Sequence, residues 1–465
     1  MDVAWLILDS LSFGATPFCE DGSDTMPKIS SLAEESGVVF TKAYVPGPTS
    51  PSSHGSFFTG EPPSVTGMHE AFPYFESDIE TIGEALSDTH KSMLISANPY
   101  IFNGLDRGFD ITGDLREEDY MVFSDARDPA EFGDENDYGS KLVTYLKFLT
   151  ESDNPLKSMI NGIQYKRVMK KRRSSLPESS PRDRNKFQYA NEMNVRIREF
   201  IQNTYEDTFV VANYMDIHPP LDASQEALER FSGQFSPNEL PVGVRGQDVY
   251  EKYSEGNNEI TEKMYSLLKA TIWDTDRKVG SLISHLLERD TFVVLTADHG
   301  IWFRRSSELD EERIHVPLII FSPDDTHRTV DHTVNIQSLP KTTLSALNRH
   351  GEKEFEGEFE GRDLLDIDGS DVSVTEFIYT SDEDGKPINP GGSEIEEVNF
   401  DMAAVYDDDR LDYLDKNYVE KCSNENLEKL RDETESRLSN TPTSSEKDIE
   451  YDETVKQRLK DFGYM

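Results

Sequence analysis

Five short stretches of this chain gather hydroxyl, carboxylate and imidazole side chains at spacings that suit polar or metal chemistry. The apolar run Ala4–Leu8 ends in Asp9-Ser10, and a second apolar run, Phe292–Thr296, leads into Asp298-His299-Gly300. The segment Gly47-Pro-Thr-Ser-Pro-Ser-Ser-His-Gly-Ser-Phe-Phe-Thr-Gly60 sets hydroxyls at 49, 50, 52 and 53 just ahead of helix-compatible residues. Asn213-Tyr-Met-Asp-Ile-His218-Pro-Pro follows the apolar Phe209–Ala212, and Arg313-Ile-His315 precedes Val316–Phe321. A hydroxyl at a helix N-terminus sits among free backbone N–H groups and a positive dipole end, which favour an alkoxide and a bound oxyanion. Carboxylates, a hydroxyl and an imidazole brought together suit a hard or borderline divalent cation: Ca²⁺, Mg²⁺ or Mn²⁺, with Zn²⁺ also compatible.

Each stretch also has a plainer reading. The hydroxyls at 49–53 are good helix caps, and Pro51 suits a first helical turn. Asp9 can cap the residues after it, Asp-His-Gly is a common loop, and a single His beside a strand is usually a boundary residue. What separates the readings is whether the fold brings these stretches to one place.

The elements that would do so are legible in outline. Ala4–Leu8 and Phe292–Thr296 read as strands buried on both faces, and Met93–Ile95, Phe209–Ala212 and Val316–Phe321 read as further strands. Met26–Ser36 and Glu262–Glu288 carry apolar residues at helical spacing. Strands alternating with helices imply an α/β fold, a mostly parallel central sheet with helices on both faces. In such sheets ligands bind outside the carboxyl ends of the strands, where Asp9 and Asp298 both fall.

Taken in order, "WLILDSLSFG", "TMPKISSLAEESGVVFTKAYV", "TSPSSHGSFFTG", "NPYIFNGLDRGFD", "NYMDIHPP", "WDTDRKVGSLI", "VVLTADHG", "RIHVPLIIFSP" and "GRDLL" resemble the sulfatase family, a branch of the alkaline-phosphatase superfamily. The resemblance runs over nearly the whole chain. It implies an alkaline-phosphatase-like fold and metal-dependent hydrolysis of sulfuric or phosphoric esters. It also implies Asp9, Ser50, Asp298 and His299 as ligands of one cation, and His218 and His315 as substrate-contacting groups. The nucleophile falls on Ser50 when counted back from Thr59-Gly60, and on Thr49 when counted from Pro51. Asp276 matches a recurrent family position and is assigned a structural role. Two departures stand out. No cysteine lies near the nucleophile and His54 stands where the family has Arg, so no formylglycine is expected; Ser10 replaces the family's second N-terminal Asp. The departures leave two other readings open, a phosphoryl-linked or sulfuryl transferase acting on a glycan or lipid acceptor, and a non-catalytic binding member.

Composition sets the surroundings. The chain has 465 residues, with 90 Asp and Glu against 47 Lys and Arg, a formal net charge of −43. Acid spread this evenly repels itself in dilute buffer and is screened at molar salt, which points to a halophilic, cytoplasmic protein and away from nucleic acid. Two cysteines, Cys19 and Cys422, exclude a disulfide framework, and no apolar run is long enough to cross a bilayer. The expected partner is an anionic ester substrate, glycan- or lipid-linked in the transferase reading. The expected organisation is a sulfatase-like catalytic domain at 1–345 and a smaller C-terminal region at 346–465 ending in acidic helices (Asn424–Leu438, Thr454–Phe462). The first carries a basic helical insert at 157–198, which could hold a polyanionic acceptor or a membrane headgroup.

Overall fold

Val3–Leu8 forms strand β1, and all six of its residues are buried, which is why the sequence there is apolar on both faces. In this computed structural model the described residues are 1–20, 22–115, 123, 126, 141–150, 152, 154–174, 189–244, 258–301, 303, 307–323, 325–351, 359–381, 387–388, 398–406, 409–414 and 417–420. The acidic helices expected at Asn424–Leu438 and Thr454–Phe462, and the basic residues Arg182, Arg184 and Lys186, lie outside them.

β1 is joined by β2 (Gly37–Phe40), β3 (Lys91–Ser96), β4 (Ile111–Asp114), β5 (Thr208–Tyr214), β6 (Phe292–Thr296), β7 (Leu318–Phe321) and β8 (Arg328–Val330). They form one eight-stranded sheet in the order β4-β3-β5-β1-β6-β7-β2-β8. β3, β5, β1 and β6 are parallel neighbours, β2 and β8 pair in parallel, and β7 runs antiparallel to both β6 and β2. The expected α/β class, a mostly parallel sheet flanked by helices, is the observed one.

The helices, in chain order, are α1 (Pro27–Ser36), α2 (Ser50–Thr59), α3 (Lys141–Thr150), α4 (Pro155–Ser174), α5 (Tyr189–Asn203), α6 (Gln225–Phe231), α7 (Asn258–Leu287) and α8 (Leu339–His350). Side chains alternate across a strand, so Trp5 and Leu8 face opposite ways. Trp5 meets Phe57 and Phe58 of α2 edge-on and donates its indole N–H to Thr343 of α8. On the other face Tyr214, the register partner of Leu8, donates its hydroxyl to Asn194 of α5. There Asp276 of α7 accepts the backbone N–H groups of Lys28 and Ile29 at 3.0 and 2.8 Å. It thereby supplies the cap that α1 lacks at Met26, and burial pushes its carboxyl up to about 6.

A second sheet of five antiparallel strands follows: β9 (Ser373–Ser381), β10 (Pro387–Ile388), β11 (Val398–Tyr406), β12 (Asp409–Leu414) and β13 (Asn417–Glu420), in the order β10-β9-β11-β12-β13. No pattern of residues announced it. Several of the buried residues of β9 are polar, and they are satisfied locally: Thr375 donates to Val45 O, and Glu376 accepts the backbone N–H and the hydroxyl of Ser64. The apolar alternation that marks a strand is therefore blurred.

The chain divides into two compact units, one of Met1–Gly113 with Tyr189–Met465, the other of Asp114–Gln188. The eight-stranded and five-stranded sheets lie in the first, except for Asp114 at the end of β4. The basic run at 157–198 does not coincide with a unit, because its last part enters α5, which packs beside β5.

Candidate active site

Four adjacent parallel strands deliver polar residues to one edge of the sheet. Asp9 directly follows β1 and keeps its backbone N–H on Tyr214 O at 3.0 Å. Asn213 is the sixth of the seven residues of β5 and registers with Ile7 of β1 and Ser96 of β3. Asn98 comes two residues after β3 and Asp298 two residues after β6. All four belong to the carboxyl ends of their strands, the edge where open α/β sheets bind ligands.

α2 brings the hydroxyl. Thr49 is its N-cap and Ser50 its first residue, with Pro51 in the first turn. The two alcohols left open by the sequence have different partners. Thr49 Oγ1 lies 2.9 Å from Ser52 Oγ inside the cap, whereas Ser50 Oγ donates to Asp298 Oδ2 at 2.7 Å and lies 3.3 Å from His299 Nε2. Gly47 makes this turn workable, since a Cβ there would sit 2.2 Å from Ser52 Oγ.

The carboxylates are wholly buried, both 0% exposed. Asp9 Oδ2 accepts the amides of Asn98 at 2.8 Å and Asn213 at 3.2 Å, and Oδ1 accepts the hydroxyl of Ser10. Asp298 Oδ1 accepts the backbone N–H groups of Ser10 and His299 at 3.1 and 2.9 Å. Ser10 reaches it in the left-handed region, at φ 67°, a strained conformation for a non-glycine residue. Asn98 also donates to Ser50 Oγ at 3.1 Å and so bridges Asp9 to the hydroxyl.

His299 completes the group. Its Nδ1 lies 2.9 Å from Gly300 O, so Nδ1–H donates there and Nε2 keeps its lone pair toward Ser50. Burial first, then the charge of Arg313, pushes this imidazole down to about 4, which keeps it neutral at neutral pH. Ligating atoms of Asp9, Asp298 and His299 all lie within 4.8 Å of one another. Among the described residues no Lys or Arg forms an ion pair with either carboxylate. Two buried carboxylates with only amide, hydroxyl, backbone and imidazole neighbours are costly without a cation, and the donor set fits a divalent one.

The other expected residues lie in different surroundings. His218 is buried in the loop after β5, its Nδ1 2.6 Å from Pro219 O. His315 faces Thr41 O with Nε2 and Glu311 with Nδ1, and stacks with Phe13 and Tyr44. None of these five contacts involves Asp9, Ser50, Asp298 or His299.

Sequence reasoning singled out the stretch that begins at Asn213 but gave its amide no role, and it gave none to Asn98; the available signal was a polar amide near the end of a strand. It also passed over Arg313, which is buried, donates Nε–H to Pro48 O at 2.6 Å and pairs with Glu308. His54, in the place of the family's Arg, points Nδ1 at Ser50 O at 2.7 Å and at Asp298 Oδ2 at 3.8 Å. Its Nε2 is buried with no hydrogen-bond partner among the described residues.

Comparison with known proteins bears on this geometry. The family described as Sulfatase matches residues 2–348. No curated protein matches the sequence. Among solved structures, a phosphonate monoester hydrolase of Agrobacterium radiobacter is similar with a TM-score of 0.60 and 11% identity, over 95% of each chain. A phosphonate monoester hydrolase from Silicibacter pomeroyi gives 0.59 and 16%, over 99% of this chain and 95% of that one. A putative sulfatase from Bacteroides thetaiotaomicron gives 0.57 and 14%, over 100% and 94%. At these identities the likeness speaks for the fold.

Proposed function

Because this chain belongs to the sulfatase family, we propose that it hydrolyses sulfuric or phosphoric esters, with Ser50 as the nucleophile. The observation that carries the reading is the hydroxyl of Ser50, 2.7 Å from Asp298 and 3.3 Å from the free nitrogen of His299. Asp9, Asp298, His299 and Ser50 would hold one divalent cation, Ca²⁺, Mg²⁺ or Mn²⁺, with Zn²⁺ also suited to the imidazole. Such an ion, when bound, lowers the pKa of the hydroxyl and polarises the ester.

The protein's own groups account for the rest. Asp298 Oδ2 accepts the Ser50 proton in the resting state and orients Oγ. Asn98 fixes that oxygen from the other side while holding Asp9. Ser50 Oγ attacks the phosphorus or sulfur, its proton passes by way of Asp298 Oδ2 to the departing ester oxygen, and the bond to that oxygen breaks, releasing the alcohol. Water then cleaves the seryl ester and restores the hydroxyl. A plain serine favours phosphorus, because a seryl sulfate lacks the collapse to an aldehyde by which a formylglycine hydrate expels sulfate.

The test is Ser50→Ala in protein loaded with each cation, assayed on aryl phosphates and aryl sulfates. Turnover should fall by roughly 10³-fold or more, and rapid quenching of the wild type should trap a covalent ester on the peptide 47–60. Undiminished turnover in the alanine variant would end the assignment.

A further inference from the structure

The unit Asp114–Gln188 contains a helix that is built inside out. Among the described side chains of α4 the buried ones are small or polar, Ser158, Asn161 and Gly162, and they face other residues of the same unit. Their orientation is specified, not incidental. Asn161 donates its amide to Phe123 O at 2.9 Å and accepts Phe123 N–H at 3.0 Å, a two-way bond that only one rotation of the helix permits. Gly162 lets the helix approach α3, since a Cβ there would lie 3.1 Å from the ring of Tyr145. The aliphatic residues therefore point away. Leu156 is 69% exposed, Ile163 42% and Ile160 36%, and Arg167 continues the same line in exposed position. Steps of four, three and four residues keep all four on one face.

The charge of this helix is the reverse of the chain's. Pro155–Ser174 holds seven Lys and Arg and no Asp or Glu, in a protein whose formal charge is −43. Lys166 is exposed and lies over the Tyr145 ring, and Lys157 lies over Phe123. An outward aliphatic stripe with exposed Lys166 and Arg167 beside it, on a helix whose sequence holds no acid, is the pattern of a helix that lies in an anionic lipid interface, its aliphatic side chains among the acyl chains and its cations among the headgroups. Nucleic acid would use the cations and leave three aliphatic side chains in water.

We infer that the outward face of α4 docks this protein onto a membrane surface bearing anionic headgroups. The surface is independent of the proposed hydrolysis.

The experiment is co-sedimentation of the full chain with vesicles of phosphatidylglycerol and phosphatidylcholine in equal parts, against phosphatidylcholine alone, at about 0.15 M salt, where surface charge still acts. The wild type should sediment with the anionic vesicles only. Leu156→Ser, Ile160→Ser and Ile163→Ser together, and separately Lys166→Glu with Arg167→Glu, should each weaken binding by roughly tenfold or more. Circular dichroism and melting check the fold; should the triple serine variant melt early, the double charge variant decides alone, since both of its positions are exposed. Three results would overturn the inference: binding unchanged in the charge variant, equal binding to phosphatidylcholine, or no vesicle binding. In the last case, sedimentation equilibrium showing a dimer dissociated by the serine variant would assign the face to a second copy, and capture of duplex DNA would assign it to nucleic acid.

Discussion

Ser50 Oγ donates to Asp298 Oδ2 at 2.7 Å across 248 positions of sequence, and Asn98 donates to the same hydroxyl from a second strand end. The hydroxyl is thus gripped from two sides by groups that belong to different strands of one sheet. Replacing Asn98 by Ala removes the grip on Ser50 and one of the two amides on Asp9. Turnover should fall by about 10- to 100-fold, the usual cost of losing a group that orients ligands, with cation affinity falling alongside. Steady-state kinetics with cation titration checks this; unchanged values of both would remove Asn98 from the site.

Chelation should affect stability as well as activity. Without a cation, the buried carboxylates of Asp9 and Asp298 face each other unneutralised. The wild type should lose several degrees of melting temperature in chelator and regain them on adding a divalent ion. Asp298→Asn should show the opposite pattern, a smaller response to chelator and no turnover. Calorimetric melts with and without chelator give the comparison.

The pH dependence of the metal-free protein has a sign set by burial. His299 and His69 are both pushed from 6.5 down to about 4, so between these values the unfolded chain binds more protons than the native one. Stability is fully present above pH 6.5 and is lost as pH falls toward 4, by about 3 kcal/mol for each histidine. Asp276, pushed up to about 6, works in the opposite sense over nearly the same range and cancels about one of them. Denaturant melts at molar salt should therefore lose about 3 kcal/mol of stability across this window. His69→Gln, outside the cluster, should make this loss smaller, while His90 and His285, which burial also pushes down, keep the curve sloping in the same sense.

Gly300 has no room for a side chain. A Cβ there would lie 1.9 Å from Glu312 O and 2.6 Å from Ser12 Oγ, while its own N–H donates to Arg313 O at 2.7 Å. Gly300→Ala should destabilise by about 3 kcal/mol and displace the carbonyl that sets the His299 tautomer. Thermal melts and activity should fall together; a fully active, equally stable variant would contradict the packing.

A formal charge of −43 predicts a strong response to salt. Raising KCl from about 0.1 M to about 2 M should raise the melting temperature by roughly 10 °C or more, since it shortens the Debye length to a few ångström. A melting temperature that falls or stays level would count against halophilic adaptation.

How much of this was legible in the sequence follows from what each residue has to do. β1 and β6 were plain because both faces are covered, and Asp9 and Asp298 were plain because they follow such runs. Asn98 was hidden because an amide ahead of a proline reads equally well as a turn residue. β9 was hidden because buried Thr375 and Glu376 are polar, the first bonded to Val45 O and the second to Ser64, so the apolar alternation is broken. The direction of an imidazole is not encoded by spacing at all. His299 and His315 both stand beside strands, yet one turns to Ser50 and the other to Thr41.

Every residue of α2 is buried, from Ser50 to Thr59. A helix enclosed on all sides leaves a mutation no harmless place along its length. New specificities must therefore arise by remodelling the loops around the sheet edge, with the reactive alcohol carried through such changes on an unaltered mount.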